Sequence, residues 1–205
     1  MELKIKSKKI KGKYIYADIQ EHKNTTSLVV FLSGFSGSSQ ISLFKNASKK
    51  FIEQDFDTLR LSFCKDEDSK EQHIDIPQIH EMSFAFYVAE LKNVLDVVGK
   101  KYSSIVLVGH SFGAPIFINF LNTQRTYLQK TKLVLWDPSL VPYKKELMDK
   151  AFVFDTQKKL YVEQNTKDPC IFNKTFYKEL SEGLNTAKIL RELNFKVCII
   201  GAEKG

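Results

Sequence analysis

The sequence predicts an α/β protein: a mostly parallel sheet with helices on both faces, entered through an antiparallel hairpin. Three observations lead there. Short apolar, β-branched-rich runs recur along the chain at 27–32 (SLVVFL), 58–64 (TLRLSFC), 104–108 (SIVLV), 132–136 (KLVLW) and 196–200 (KVCII), as expected of strands buried on both faces. The segments between them place apolar residues at helical spacing, which gives the strand–helix–strand rhythm of a parallel sheet. The first twenty residues instead alternate polar and apolar side chains, the pattern of strands with one solvated face.

Taken in order, residues 2–9 (ELKIKSKK) and 12–19 (GKYIYADI) read as an opening hairpin turning around Lys11-Gly12. The run 27–32 ends in Ser33-Gly34, and the helix expected over 41–54 sets Phe44, Ala47, Phe51 and Ile52 on one face. After the strand at 58–64, residues 83–98 place Phe84, Val88, Leu91, Leu95 and Val98 at helical spacing. The strand at 104–108 leads into a turn over 109–113, a helix through Leu121 and the strand at 132–136, which stops at Asp137-Pro138. Residues 140–177 break the rhythm: aromatics (Tyr143, Phe152, Phe154, Tyr161, Phe172) occur without a clean period, and the segment is expected to be a short cap inserted over the sheet. A helix over 178–193, with Leu180, Leu184 and Ala187 inward, leads to the strand at 196–200. A single domain over 1–205 is expected, lacking its last strand–helix unit, because a covering helix normally follows such a strand.

Composition narrows the function classes. With 43% hydrophobic and 12% aromatic residues, the chain can bury a sizeable core. The formal net charge is +7, from 31 Lys and Arg against 24 Asp and Glu. Pairs such as Lys49-Lys50, Lys100-Lys101 and Lys144-Lys145 form no continuous basic face, so the excess reads as a solvated surface and no nucleic-acid partner is expected. Apolar runs such as 28–32 are too short to span a bilayer, and the N-terminus has no apolar core of a secretory signal; no membrane association and a cytoplasmic location are expected. Cys64, Cys170 and Cys198 lack CxxC spacing, and Cys64 and Cys198 lie in apolar runs, so reduced core cysteines are expected. No metal-ligand spacing such as HExxH occurs, and neither a metal nor an organic cofactor is predicted.

The chemistry concentrates at Gly109-His110-Ser111-Phe112-Gly113, a G-x-S-x-G between a predicted buried strand and a predicted helix. In that context the glycines permit a turn too tight for side chains, and the serine hydroxyl stands exposed on a strained backbone. The helix that follows aims its N-terminus at the site, which favours developing negative charge. A glycine-rich turn in another α/β fold is the bland alternative. Ser33-Gly34-Phe35-Ser36-Gly37 ends an earlier strand and suits the second half of an oxyanion site, with one backbone N–H from Phe35 and the other from Phe112. The alternative there is a flexible Gly/Ser turn; a dinucleotide or phosphate loop is less favoured still, since neither G-x-G-x-x-G nor Walker A is matched.

In order and spacing, the strand–SGFSG loop, the Arg60-Leu61-Ser62-Phe63 strand, the helix around 91–98 and the GHSFGA elbow resemble α/β-hydrolases of the cinnamoyl-esterase and serine-aminopeptidase-like type. The likeness covers 27–121 well and the remainder by topology. It implies the α/β-hydrolase fold and hydrolysis of a carboxylic ester, or a thioester or amide, through an acyl-enzyme on Ser111, with a small acyl compound as substrate. The oligomeric state is not readable. A binding or regulatory protein on the same scaffold is the alternative.

The other triad members depart from that family. Lys204 occupies the usual place of the acid, with Glu203 beside it. Asp137 is preferred to Glu203, because Leu135-Trp136-Asp137-Pro138-Ser139 resembles the strand end that carries the acid in lipases of the pancreatic type; an Asx-Pro strand terminator is its structural alternative. The order Ser, acid, His requires a later histidine, and none follows His110. His110 is expected to point away from Ser111, His73 and His80 to lie in solvent, and His22 in an early turn. The base is therefore expected beyond Gly205.

Overall fold

The computed structural model describes residues 1–22, 25–34, 39–63, 76–166, 169–183 and 185–201, with backbone alone for 76–78. Strand β1 (Glu2–Lys6) pairs antiparallel with β2 (Tyr14–Gln20), Ile5 facing Ile15. Their turn uses Gly12 at φ 79° and is fastened from the core side by Glu90. That buried carboxylate accepts hydrogen bonds from Ser7 Oγ at 2.6 Å and the Lys9 N–H at 2.8 Å.

Strand β3 (Ser27–Leu32) runs parallel to both β4 (Asp57–Ser62) and β5 (Ser104–His110), and β6 (Thr131–Trp136) continues the sheet beyond β5. With β10 (Val197–Ile200) at the far edge, the seven-stranded order is β1-β2-β4-β3-β5-β6-β10, antiparallel only in its β1-β2 and β2-β4 pairings. Leu28 to Phe31 are all buried, which explains why β3 reads as an unbroken apolar run: helices cover both of its faces.

One face carries α1 (Ser42–Ile52), whose Phe44 packs on Val29, Phe31 and Val108. The short α2 (Ile76–Glu81) precedes α3 (Phe84–Val98), which lies with α4 (Gly113–Thr123) against the opposite face. Ser83 caps α3, its Oγ accepting the Phe86 N–H at 3.0 Å. On that side Phe112 meets Phe84, Tyr87 and Phe176 with ring centroids 5.3, 5.7 and 5.4 Å apart.

After β6 the chain is more ordered than its sequence period implies. Helix α5 (Lys145–Ala151) leads into a separate antiparallel sheet of β7 (Phe152–Asp155), β8 (Leu160–Glu163) and β9 (Ile171–Asn173). Strands of three or four residues are too short to display alternation, yet their turn is chemically marked: Asp155 Oδ1 accepts the N–H groups of Gln157 and Lys158, both at 2.9 Å. The single helix expected over 178–193 is two, α6 (Lys174–Glu182) and α7 (Thr186–Glu192), interrupted at Gly183. Each begins with an asparagine cap, Asn173 on the Phe176 N–H and Asn185 on the Lys188 N–H. Leu184 and Cys64 lie outside the described residues.

Cys198 corrects the expectation of a core cysteine: it is exposed. Its strand β10 is the sheet edge, in register with β6 so that Cys198 pairs with Val134. The α1 cluster takes in Val134 and Trp136 but no residue of β10, so an apolar strand pattern did not entail burial on both faces.

Candidate active site

Chain order reverses at β3: one crossover leads from it to β4, and the chain later returns on its other side as β5. The carboxyl ends of β3 and β5 therefore diverge into a crevice, the place where open α/β sheets bind ligands. Ser111 follows β5 and Ser33-Gly34 follows β3, so topology alone brings the two predicted loops together.

The serine turn is built sterically. Ser111 has φ 49°, a left-handed conformation that costs a non-glycine residue energy and needs support from its surroundings. Support comes from three backbone hydrogen bonds: the Ser111 N–H donates to Trp136 O at 3.0 Å, while the N–H groups of Ala114 and Ser139 donate to Ser111 O, each at 3.2 Å. A Cβ on Gly109 would stand 2.8 Å from the backbone of Ala114, and one on Gly113 would strike the carbonyls of Leu32 and Ser33. Only glycine lets α4 start this close to β3.

Gly34 closes the other side. A Cβ there would lie 3.2 Å from Ser111 Cβ and 3.5 Å from Ser111 Oγ, so its bare backbone borders the hydroxyl directly. Phe35, which follows it, is outside the described residues. Phe112 sits at the start of α4 with φ −64°, its ring buried in the aromatic cluster.

Ser111 Oγ has one hydrogen-bond partner among the described residues, Ser139 Oγ at 3.5 Å, and Ser139 Oγ is in turn 3.3 Å from the Tyr143 hydroxyl. Asp137 is brought to the same loop. It is exposed, adopts φ 43°, and its N–H donates to Ile200 O at 2.7 Å. It ends β6 by backbone strain and a sheet bond, and among the described residues its carboxylate accepts no hydrogen bond from a turn. Glu203 and Lys204 lie outside those residues.

No histidine among the described residues hydrogen-bonds the Ser111 hydroxyl. The His110 ring is turned to the α1 face, edge-on to Phe44 and Trp136 at 6.3 and 6.5 Å. Its Nδ1 is buried and finds no hydrogen-bond partner among the described residues. His80 is exposed on α2, and His22 is 3.4 Å from Asp55 at the surface. His73 is outside the described residues.

A small, open cleft adjoins Ser139, the partner of Ser111 Oγ, walled by Phe84, Phe112, Pro115, Val141, Leu180 and the polar Ser139, Tyr143, Thr186 and Glu179. Burial pushes the Glu179 carboxyl above its ordinary range, opposed by the hydrogen bond it accepts from the Phe84 N–H at 2.8 Å. Ser139, Tyr143 and Glu179 were not among the residues singled out by motif. Glu179 carries a signal all the same: it is a charged residue next to Leu180 on a helix that also buries Phe176 and Tyr177. Among the described residues no group of three His, Cys, Asp or Glu side chains could hold a metal, and no helix is long and apolar enough to cross a membrane.

No protein-family model matches the sequence, and no curated protein matches it. Solved structures match in three dimensions. Est1E from Butyrivibrio proteoclasticus with ferulic acid bound superposes with a TM-score of 0.70 at 16% identity, over 96% of this chain and 77% of that one. A putative hydrolase from Agrobacterium vitis superposes with a TM-score of 0.62 at 12% identity, over 100% and 90% of the two chains. A structure from work on carboxylesterases of Nitrososphaera gargenis gives 0.60 at 16% identity, over 93% and 77%. With these neighbours and the observed strand order, the architecture is the α/β-hydrolase fold, with the antiparallel hairpin at its start.

Proposed function

We propose that this chain is a serine hydrolase that cleaves a carboxylic ester of a small acyl compound through an acyl-enzyme on Ser111. The observation that carries the reading is the left-handed Ser111 between β5 and α4, with the Gly34 backbone against its hydroxyl. A fold that spends strain on presenting one hydroxyl at a topological switch point is suited to nucleophilic attack.

Ser111 Oγ attacks the acyl carbon, its proton passes to a histidine, and the alcohol leaves with that proton; water then repeats the sequence to free the acid. The tetrahedral oxyanion is received by the backbone N–H groups of Phe112 and Phe35, backed by the amino end of α4. Asp137 fixes the tautomer and orientation of the histidine, its exposed carboxylate standing two residues from Ser139 on the loop that lines Ser111. The cap formed by residues 140–177 shapes the acyl pocket. Thioesters and amides use the same groups and differ only in the pocket.

One observation favours a second reading, a binding protein on a hydrolase scaffold: among the described residues the partner of Ser111 Oγ is a hydroxyl and no imidazole. Labelling with a fluorophosphonate probe separates the two. The hydrolase reading expects covalent labelling that Ser111→Ala abolishes; an unreactive Ser111 in the folded protein rejects it.

A further inference from the structure

Ser111 Oγ is met by a short chain of hydroxyls to which the proposed ester chemistry gives no role. Ser139 Oγ lies 3.5 Å from Ser111 Oγ and 3.3 Å from the Tyr143 hydroxyl, and among the described residues it is the one hydrogen-bond partner of each. The main chain holds both hydroxyl bearers in place: the Ser139 N–H donates to Ser111 O at 3.2 Å, and the Tyr143 N–H donates to Leu180 O at 2.9 Å. Each also follows a proline, Pro138 and Pro142, whose fixed φ leaves the loop fewer conformations to lose. Tyr143 is 45% exposed, so a phenol with water in reach is nevertheless turned to the serine beside the nucleophile.

We infer that Ser139, backed by Tyr143, is a positioning residue that selects the side-chain orientation from which Ser111 Oγ attacks. The inference rests on the reading of Ser111 as nucleophile. The left-handed backbone of Ser111 fixes where its Cβ stands, but staggered wells still leave the hydroxyl more than one orientation. Gly34 limits that choice sterically, since its backbone borders Oγ, and Ser139 supplies an attraction. A hydroxyl both donates and accepts, so Ser139 Oγ can receive a hydrogen bond from Tyr143 while it engages Ser111 Oγ, which sets the nucleophile before substrate arrives. Contacts of 3.3 and 3.5 Å are long for hydroxyl pairs. They are weak enough for Ser111 Oγ to leave Ser139 when its proton passes to the base, and catalytic hydrogen bonds are often this long before substrate binds. Ser139 and Tyr143 take no part in bond making.

The test follows fluorophosphonate labelling of the wild-type protein, Ser139→Ala, Tyr143→Phe and the double variant, each shown to be folded by circular dichroism. The substitutions leave the backbone hydrogen bonds of both residues in place. Loss of one neutral hydrogen bond should slow the covalent step of Ser139→Ala about fivefold, with the probe concentration at half-saturation unchanged. Tyr143→Phe, which weakens the chain at one remove, should slow it about twofold. The double variant should be no slower than Ser139→Ala, because Tyr143 acts only through Ser139. A covalent step unchanged in Ser139→Ala, a loss confined to probe affinity, or effects that multiply in the double variant overturn the inference while the labelled wild type keeps the Ser111 reading. A folded wild type that is not labelled rejects that reading and this inference with it. Should Ser139→Ala fail to fold, Tyr143→Phe decides alone: a slowed covalent step supports the inference and an unchanged one overturns it.

Discussion

The start of α4 gives a sharp test of how the elbow is built. A Cβ added at Gly113 would stand 2.9 Å from the Leu32 carbonyl carbon and from Ser33 O, and closer still to Leu32 O. The separation such atoms prefer is about 3.5 Å, so α4 would have to retreat by more than half an ångström. The obstructing atoms cannot yield, because β3 is hydrogen-bonded along both edges, to β4 and to β5. Overpacking against backbone costs about 3 kcal/mol, and the better helix propensity of alanine returns up to about 1 kcal/mol. Gly113→Ala should therefore lose about 2 kcal/mol, which for a chain of 205 residues lowers Tm by roughly 4–8 °C. Gly99→Ala is the control: its Cβ would meet nothing nearer than 3.5 Å and its φ of −76° suits alanine, so its stability should stay within about 0.5 kcal/mol of wild type. Thermal and urea unfolding followed by circular dichroism measure both. Fluorophosphonate labelling of Gly113→Ala, in conditions where it is folded, should slow by about a hundredfold as the elbow shifts. Equal stability of the two variants would refute the steric account.

Other consequences are local and separately measurable. Replacing Glu90 by Ala takes the acceptor from the Ser7 hydroxyl and one of the two acceptors of the Lys9 N–H and should cost about 1–3 kcal/mol of unfolding free energy, read from a lowered urea midpoint. Phe176→Ala removes a fully buried ring that meets Phe84, Tyr87, Phe112 and Phe172; a loss of about 3–5 kcal/mol is expected, with slower labelling of Ser111 because the Phe112 ring loses its backing. Burial, with Asp96 beside it, pushes the Tyr127 phenol up to about 12. Since this folded value lies above that of the unfolded chain, about 10, the associated stability is full below pH 10 and is lost as pH rises through 12. Tyr127→Phe should flatten that alkaline decline in a pH series of urea midpoints, and an unaltered decline would assign it elsewhere.

The elbow is readable from sequence because its demands are steric and local. Gly109 and Gly113 are required by backbone atoms of Ala114, Leu32 and Ser33, and a strand that is apolar on both faces announces its own context. The hairpin and the central strands are legible for the same reason, since burial on one face or two writes alternation or continuity directly. The segment after β6 is less legible because β7, β8 and β9 are too short to express a period, although Asn173 and Asn185 mark the two helix starts. The cleft is hardest to read: Ser139 and Tyr143 come from the loop after β6 and Glu179 from α6, and the hydrogen bond from the Phe84 N–H to Glu179, which ties α6 to the start of α3, helps to set them around one space.

That arrangement makes the loop after β6 the mechanical centre of the site. It is held on one side by β10, through the Asp137 N–H on Ile200 O, and on the other by the elbow, through the Ser111 N–H on Trp136 O and the Ser139 N–H on Ser111 O. Asp137 and Ser139 therefore cannot shift without disturbing either the edge strand or the nucleophile turn. The same loop continues into the cleft wall, where the Tyr143 N–H donates to Leu180 O at 2.9 Å and the Ala187 N–H donates to Leu140 O at 3.1 Å. Helices α6 and α7 are thus bonded to the segment that carries the partner of Ser111 Oγ.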